Sequence, residues 1–142
     1  MKTVIGYMTK TKHSETIAKA VAQAVGLEAV NMENKPTMYG VDLLILVSGI
    51  YAKQSMPELL EYARTWKSAN FQKVALITSS SSAEQRPKLL LQILKEKYIE
   101  IVGECRVKGN FLLISRGHPN EKDINTAIEF AKKVIAENDT VE

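Results

Sequence analysis

The run Val41 to Val47 (VDLLILV) is apolar at every position but Asp42. A strand with one wet face alternates polar and apolar residues, so a near-continuous run predicts a central strand covered on both faces. That requirement demands two flanking layers, and the rest of the chain supplies them. Thr3 to Met8 (TVIGYM) reads as strand one and Leu27 to Met32 as a second. Val74 to Thr78 (VALIT) follows the central run, and Ile99 to Val107 alternates more, as suits a sheet edge. Between them lie helical periods. One begins at Ser14, sets Ile17, Val21, Ala24 and Val25 on one face and ends at Gly26. Ser55-Met56-Pro57-Glu58 has the spacing of a capping box and predicts a second helix, buried through Leu59, Leu60, Ala63 and Trp66. Residues 87–98 form a third. The last follows Pro119-Asn120 with a stripe of Ile124, Ala127, Ile128, Ala131, Val134 and Ile135. Strands alternating with helices imply crossover connections and a parallel sheet.

A chain of 142 residues suits one domain, spanning 1–142, with a single substantial core. No apolar stretch nears the ~18 residues of a membrane span. The apolar part of MKTVIGYM is too short for a signal peptide. Cys105 has no second cysteine to pair with, which suits a reducing cytoplasm, and its place in a strand predicts a small buried apolar group. The net charge of +3 is too mild to argue for nucleic acid, but its distribution is uneven. Residues 86–116 carry seven Lys and Arg against three Glu, whereas 119–142 carry three against six acids. The basic region is expected to attract anionic ligands or partners. No HExxH, CxxC or cluster of histidines and carboxylates points to a metal.

Ligands of parallel sheets sit beyond the carboxyl ends of the strands. Three connections there matter: 9–14, 48–55 and 79–84. In the first, Thr9, Thr11 and Ser14 place hydroxyls where helix-start amides lack partners, with Lys10, Lys12 and His13 among them. Such a loop takes a phosphate. The plainer alternative is that Ser14 caps the helix and the remainder is a polar turn. His13 either donates to the anion or stands as an exposed turn residue. His118 sets up the last helix.

The spacing Thr9-x-Thr11-x-x-Ser14, continued by Glu15-Thr16-Ile17-Ala18, resembles the phosphate loop of flavodoxins, S/T-x-T-G-x-T/S, except that Lys12 stands where that family has glycine. DLLILVSGIYAKQSMPELL (42–60) is similar to the family's third strand and first flavin loop. Lys108-Gly109 and residues 117–134 resemble the C-terminal part of short flavodoxin-domain proteins. The likeness covers most of the chain. It implies a flavodoxin-like three-layer α/β/α sandwich around a five-stranded parallel sheet of order 2-1-3-4-5, binding FMN. Thr9, Lys10, Thr11, Lys12, His13 and Ser14 would then surround the phosphate. Ser48, Gly49, Ile50, Tyr51 and Ala52 would form one ring-side loop and Ser79, Ser80, Ser81 and Ser82 the other. Tyr51 either stacks on the ring or packs on its own domain.

Classical flavodoxins carry acidic and aromatic residues in that second loop, and SSSSAEQ does not. Either ring contact is through backbone and hydroxyls, or a second molecule lies against the flavin. A third reading makes Ser82 and Gln85 a capping spacing within a flexible loop. Lys10, Lys12, Lys53, Arg86, Arg106 and Lys108 bring positive charge, which would stabilise an anionic reduced flavin and raise its second reduction potential. The expected function is electron transfer, or a small flavin-dependent reductase or oxidase, acting on a redox partner protein or an anionic or quinone-like small molecule. Ser48 to Ala52 (SGIYA) also resembles the protoporphyrinogen-oxidising branch, which bears on substrate alone. Two alternatives stand beside this: a flavodoxin-like binding domain that has lost FMN, and a nucleotide- or anion-binding regulatory domain. Lys12 supports the loss if the glycine it replaces has positive φ, because a lysine there costs on the order of 1 kcal/mol.

Overall fold

The structure, a computed structural model, describes residues 1–10, 12–51, 54–80, 86–108 and 121–139, with 51, 54 and 108 described through the backbone alone. In chain order the elements are β1 (Thr3–Met8), α1 (Lys12–Ala24), β2 (Ala29–Asn31), β3 (Val41–Tyr51), β4 (Gln54–Ser55), α2 (Pro57–Arg64), β5 (Phe71–Ser80), α3 (Lys88–Glu96), β6 (Glu100–Lys108) and α4 (Glu121–Asn138). The strands pair in parallel in the order β2-β1-β3-β5-β6. Leaving aside the two-residue β4, which runs antiparallel to the end of β3, this is the expected order 2-1-3-4-5.

The VDLLILV run sits at the centre of the sheet, and side-chain alternation sorts it between two cores. Leu43, Ile45 and Val47 pack with Ile17, Ala18 and Val21 of α1 and with Ala127, Ala131 and Val134 of α4. Leu44 and Leu46 face the other way, toward Leu59 and Ala63 of α2 and Leu90 and Leu94 of α3. Leu43, Leu44, Ile45, Leu46 and Val47 are each 0 % exposed, which is why the run carries no polar alternation. The fifth strand, β6, is an edge, as its alternation predicts.

Several boundaries differ from the sequence reading. The first helix starts at Lys12 rather than Ser14, and its buried face is Ser14, Ile17, Ala18, Val21 and Ala22; Ala24 is exposed. Strand two shortens to Ala29–Asn31, leaving Leu27 exposed. The capping-box spacing at Ser55 is not used. Ser55 is held in β4 by pairing with Ile50, so Met56 becomes the N-cap and makes no side-chain cap bond. Strand β5 continues through Ser79 and Ser80, both buried. The third helix is Lys88–Glu96 with Pro87 as its N-cap, and the Ser82–Gln85 capping spacing lies outside the described residues.

Two helices end in the same way with different residues. After α1, Gly26 takes φ 75°, Leu27 N–H donates to Ala22 O at 2.8 Å and Gly26 N–H to Gln23 O at 3.3 Å. After α3, Tyr98 takes φ 58°, with Ile99 N–H on Leu94 O at 3.0 Å and Tyr98 N–H on Lys95 O at 3.1 Å. This double bond is the Schellman closure, whose left-handed residue is ordinarily glycine. Tyr98 is 90 % exposed, so its ring gains little burial in return for the strain. Tyr98→Gly should therefore stabilise the protein by about 0.5–1 kcal/mol. Urea unfolding checks this, and a lower midpoint would show that the exposed ring has a stabilising partner.

Candidate functional site

The carboxyl ends of the strands bring the three predicted segments to one end of the sheet. Met8 lies beside Ser48, Ser48 beside Thr78, and Thr78 beside Arg106. One position further, Gly49 lies beside Ser79 and Ser79 beside Val107. Thr9 and Lys10 continue directly from β1, and Lys12, His13 and Ser14 are the first three residues of α1. Ser48, Gly49 and Ile50 belong to the buried end of β3, and the Tyr51 backbone completes that strand. Thr11, Ala52, Lys53, Ser81, Ser82, Gly109 and His118 to Asn120 lie outside the described residues.

The hydroxyls gathered here are buried. Thr9 is 9 % exposed, Ser48 2 %, Ser79 1 % and Ser80 0 %. Ser14 is 1 % exposed and its Oγ has no hydrogen-bond partner. The plainer reading of Ser14 as a cap therefore fails, because the residue lies inside the first helical turn. A buried hydroxyl without a partner costs about 1–3 kcal/mol. Ser79 Oγ, at the end of β5, is unpartnered in the same way. The first amides of α1 lack intrahelical acceptors and carry the positive end of the helix dipole. Hydroxyl, amides and dipole together form a set of donors that fits a phosphate.

Lys12 resolves differently from its sequence reading. It is the first residue of α1, and positive φ among described non-glycine residues occurs at Lys35 and Tyr98 alone. The strain invoked for a lysine in a glycine position is absent. Its side chain is exposed, as is that of Lys10. His13 is half-buried, and burial holds its imidazole below the usual value, so near pH 7 it is neutral and adds no positive charge.

The other cations need sorting. Arg86 makes a two-pronged contact with Glu104 of β6, Nε to Oε1 at 3.1 Å and Nη2 to Oε2 at 2.6 Å. That hydrogen bonding and the carboxylate's charge raise the guanidinium's pKa further, and the pair contributes no net charge to the site. Arg106 is exposed on the same strand, whereas the side chains of Lys53 and Lys108 lie outside the described residues. Cys105 is 9 % exposed among the α1/α4 core residues, as predicted. Burial pushes its thiol up to about 11, so it is protonated and unreactive near neutrality. Among the described residues no group of three or more His, Cys, Asp or Glu is placed to hold a metal ion. No helix among them is long and apolar enough to cross a membrane.

A cavity of about 560 Å³ lies at the opposite end of the sheet, between residues 35–39 and α2, and is walled by Tyr62, Trp66 and Phe71. Trp66 meets Tyr62 and Phe71 edge-on, at centroid distances of 5.1 and 4.8 Å. Its indole N–H lies near the Tyr62 hydroxyl without reaching hydrogen-bond geometry, and Tyr62 donates instead to Pro36 O. This cavity shares no residue with the strand-end site.

Comparison with known proteins agrees with the topology. No protein-family model matches the chain. An uncharacterized protein of Methanocaldococcus jannaschii is 30 % identical over 150 residues, covering 95 % of this chain and 99 % of that one. Among solved structures, a Streptococcus pneumoniae flavodoxin superposes with a TM-score of 0.67 at 15 % identity, covering 96 % of this chain and 99 % of its own. The two-electron reduced flavodoxin of Megasphaera elsdenii gives a TM-score of 0.62 at 18 % identity, covering 92 % and 98 %. At such identities the likeness is one of fold.

Proposed function

We propose that this chain, which has the flavodoxin-like fold, binds FMN and passes electrons to an anionic or quinone-like acceptor or to a redox partner protein. The observation that carries this reading is Ser14 Oγ, buried and unpartnered in the first turn of α1. A phosphate at that helix start would accept the hydrogen bond and those of the free amides. Thr9 would stand beside it, with Lys10 and Lys12 supplying charge at the surface. Ser48, Gly49, Ile50, Ser79 and Ser80 line the neighbouring strand ends on which the ring would rest.

When bound, FMN supplies a reversible acceptor of one or two electrons. The residues of this chain would bind and orient it. With Arg86 occupied by Glu104, the exposed Lys12 at the start of α1 adds positive charge beside the site, and that charge favours an anionic acceptor. The reading of a domain that has lost FMN drew on strain at Lys12 and on crowding of the phosphate by its side chain; helical φ there removes the strain, and Lys12→Gly tests the crowding.

Titration of the protein with FMN tests the proposal, read by quenching of flavin fluorescence. Binding at micromolar FMN is expected; no quenching in that range would overturn it. Lys12→Gly should weaken binding about threefold to fivefold, the value of one exposed charge beside a dianion. Tighter binding by Lys12→Gly would mean that the lysine obstructs the site.

A further inference from the structure

The cavity walled by Tyr62, Trp66 and Phe71 arises where one crossover lacks a helix. Each of β1, β3, β5 and β6 leads on to a helix, whereas residues 32–40 join β2 to β3 as an irregular loop. On the face covered by α2 and α3, Met32 and Met38 of that loop stand where a helix would pack. A helix is ~10 Å across and a single chain ~5 Å, so the loop leaves space open beside α2. The loop is pinned around that space. The Tyr62 hydroxyl donates to Pro36 O, Asn70 Nδ2 to Met38 O at 2.7 Å, and Gly40 N–H to Ala69 O at 2.9 Å. The cavity is thus pre-formed, and its volume of about 560 Å³ is that of a small-molecule site.

Its lining includes a donor that the fold does not use. Trp66 is 2 % exposed, and its indole N–H has no hydrogen-bond partner. Neighbouring polar groups are engaged elsewhere. Thr65 Oγ1 donates to Tyr62 O at 2.6 Å, and Asn70 Oδ1 accepts from Lys67 N–H at 2.8 Å. The three aromatic rings, Pro36 and Met38 give the cavity apolar walls, which favour a flat apolar body over water. Charge narrows the choice further. Lys35 lies 4.0 Å from Glu61, so that cation is offset, while Lys67 is exposed at the lining and makes no ion pair among the described residues. A ring bearing a carboxylate would cover the aromatic walls, accept the indole N–H and complement Lys67.

We propose that this cavity is a second binding site, which takes a small aromatic carboxylate at the end of the sheet away from the flavin site. It is independent of FMN. Trp66 is the one tryptophan of the chain, so its indole N–H gives a single resonance in an NMR titration of the full-length protein. Benzoate should move that resonance saturably, with a midpoint of ~1 mM. Benzylamine, which has the ring without the acceptor, should not. Lys67→Ala should raise the benzoate midpoint about threefold. Ala69→Leu, which adds bulk at an exposed lining position, should raise it about tenfold or more, with thermal unfolding confirming that both variants fold. The midpoint should be the same in the presence of FMN. No saturable indole shift, an equal response to benzylamine, a midpoint indifferent to both substitutions, or competition with FMN would overturn the proposal. So would an indole resonance that Tyr62→Phe displaces in the ligand-free protein, because the Tyr62 hydroxyl would then already hold the N–H. A protein that binds benzoate here but fails to bind FMN would refute the flavin reading and leave this one standing.

Discussion

Replacing Ser14 by alanine should make the ligand-free protein more stable and its cofactor site weaker. The buried Oγ has no partner, so deleting it removes a desolvation cost rather than a bond. A gain of about 1 kcal/mol is expected, to which alanine's better helix propensity adds a few tenths. The same deletion removes a donor that would face the phosphate. A hydrogen bond to a charged group contributes about 1.5–3 kcal/mol, so FMN affinity should fall by roughly tenfold or more. Thr16→Ala is the control on the same helix. Its Oγ1 is exposed and already donates to Lys12 O at 2.9 Å, so FMN affinity should stay unchanged and stability should rise only by the few tenths of a kcal/mol of alanine's helix propensity. Thermal unfolding of the free protein and fluorescence titration with FMN separate the two effects. A less stable Ser14→Ala protein would mean that the hydroxyl is satisfied in solution. A more stable variant with unaltered FMN affinity would detach Ser14 from the site.

That opposition explains which parts of the site could be read from the chain. The order of strands and helices was legible because burial on two faces leaves a continuous apolar trace in residues 41–47. Cys105 was legible for the same reason. Ser79 and Ser80 were not read as strand, because two serines carry no hydrophobic period. They are held in β5 by pairing with Gly49 on one side and with Val107 and Lys108 on the other, a tertiary constraint that local propensity does not express. Ser55 misled for a related reason: its capping spacing is real, but pairing with Ile50 claims the residue first. Thr9 and Ser14 were found from spacing, yet spacing did not reveal whether Ser14 caps the helix or lies within it. Lys12 was ambiguous because a sequence does not state φ. The Arg86–Glu104 pair joins a residue before α3 to one of β6, eighteen positions apart, so the charge pattern counted Arg86 toward the site although it is neutralised.

Unpartnered hydroxyls at the strand ends cost stability, and the central strand must offset them. Ile45→Ala tests how much it supplies. Ile45 is 0 % exposed, lies between Ile5 and Ala75 in the sheet, and faces the helices α1 and α4. Its neighbours cannot close the gap readily. Ala75 is already small, Ala18, Ala127 and Ala131 line the facing helices, and the strands on both sides fix the backbone. Loss of the transfer free energy and the residual cavity together should cost about 3–4 kcal/mol, a large share of the ~5–15 kcal/mol of a typical domain. Val102→Ala on the edge strand β6 is the comparison. Val102 is only half-buried, so its truncation should cost about 1 kcal/mol. Urea unfolding measures both, with equal slopes required for the comparison to hold. Equal losses at the two sites would mean that the α1/α4 layer repacks around the gap. The start of α1 would then be held less rigidly than its buried Ser14 implies.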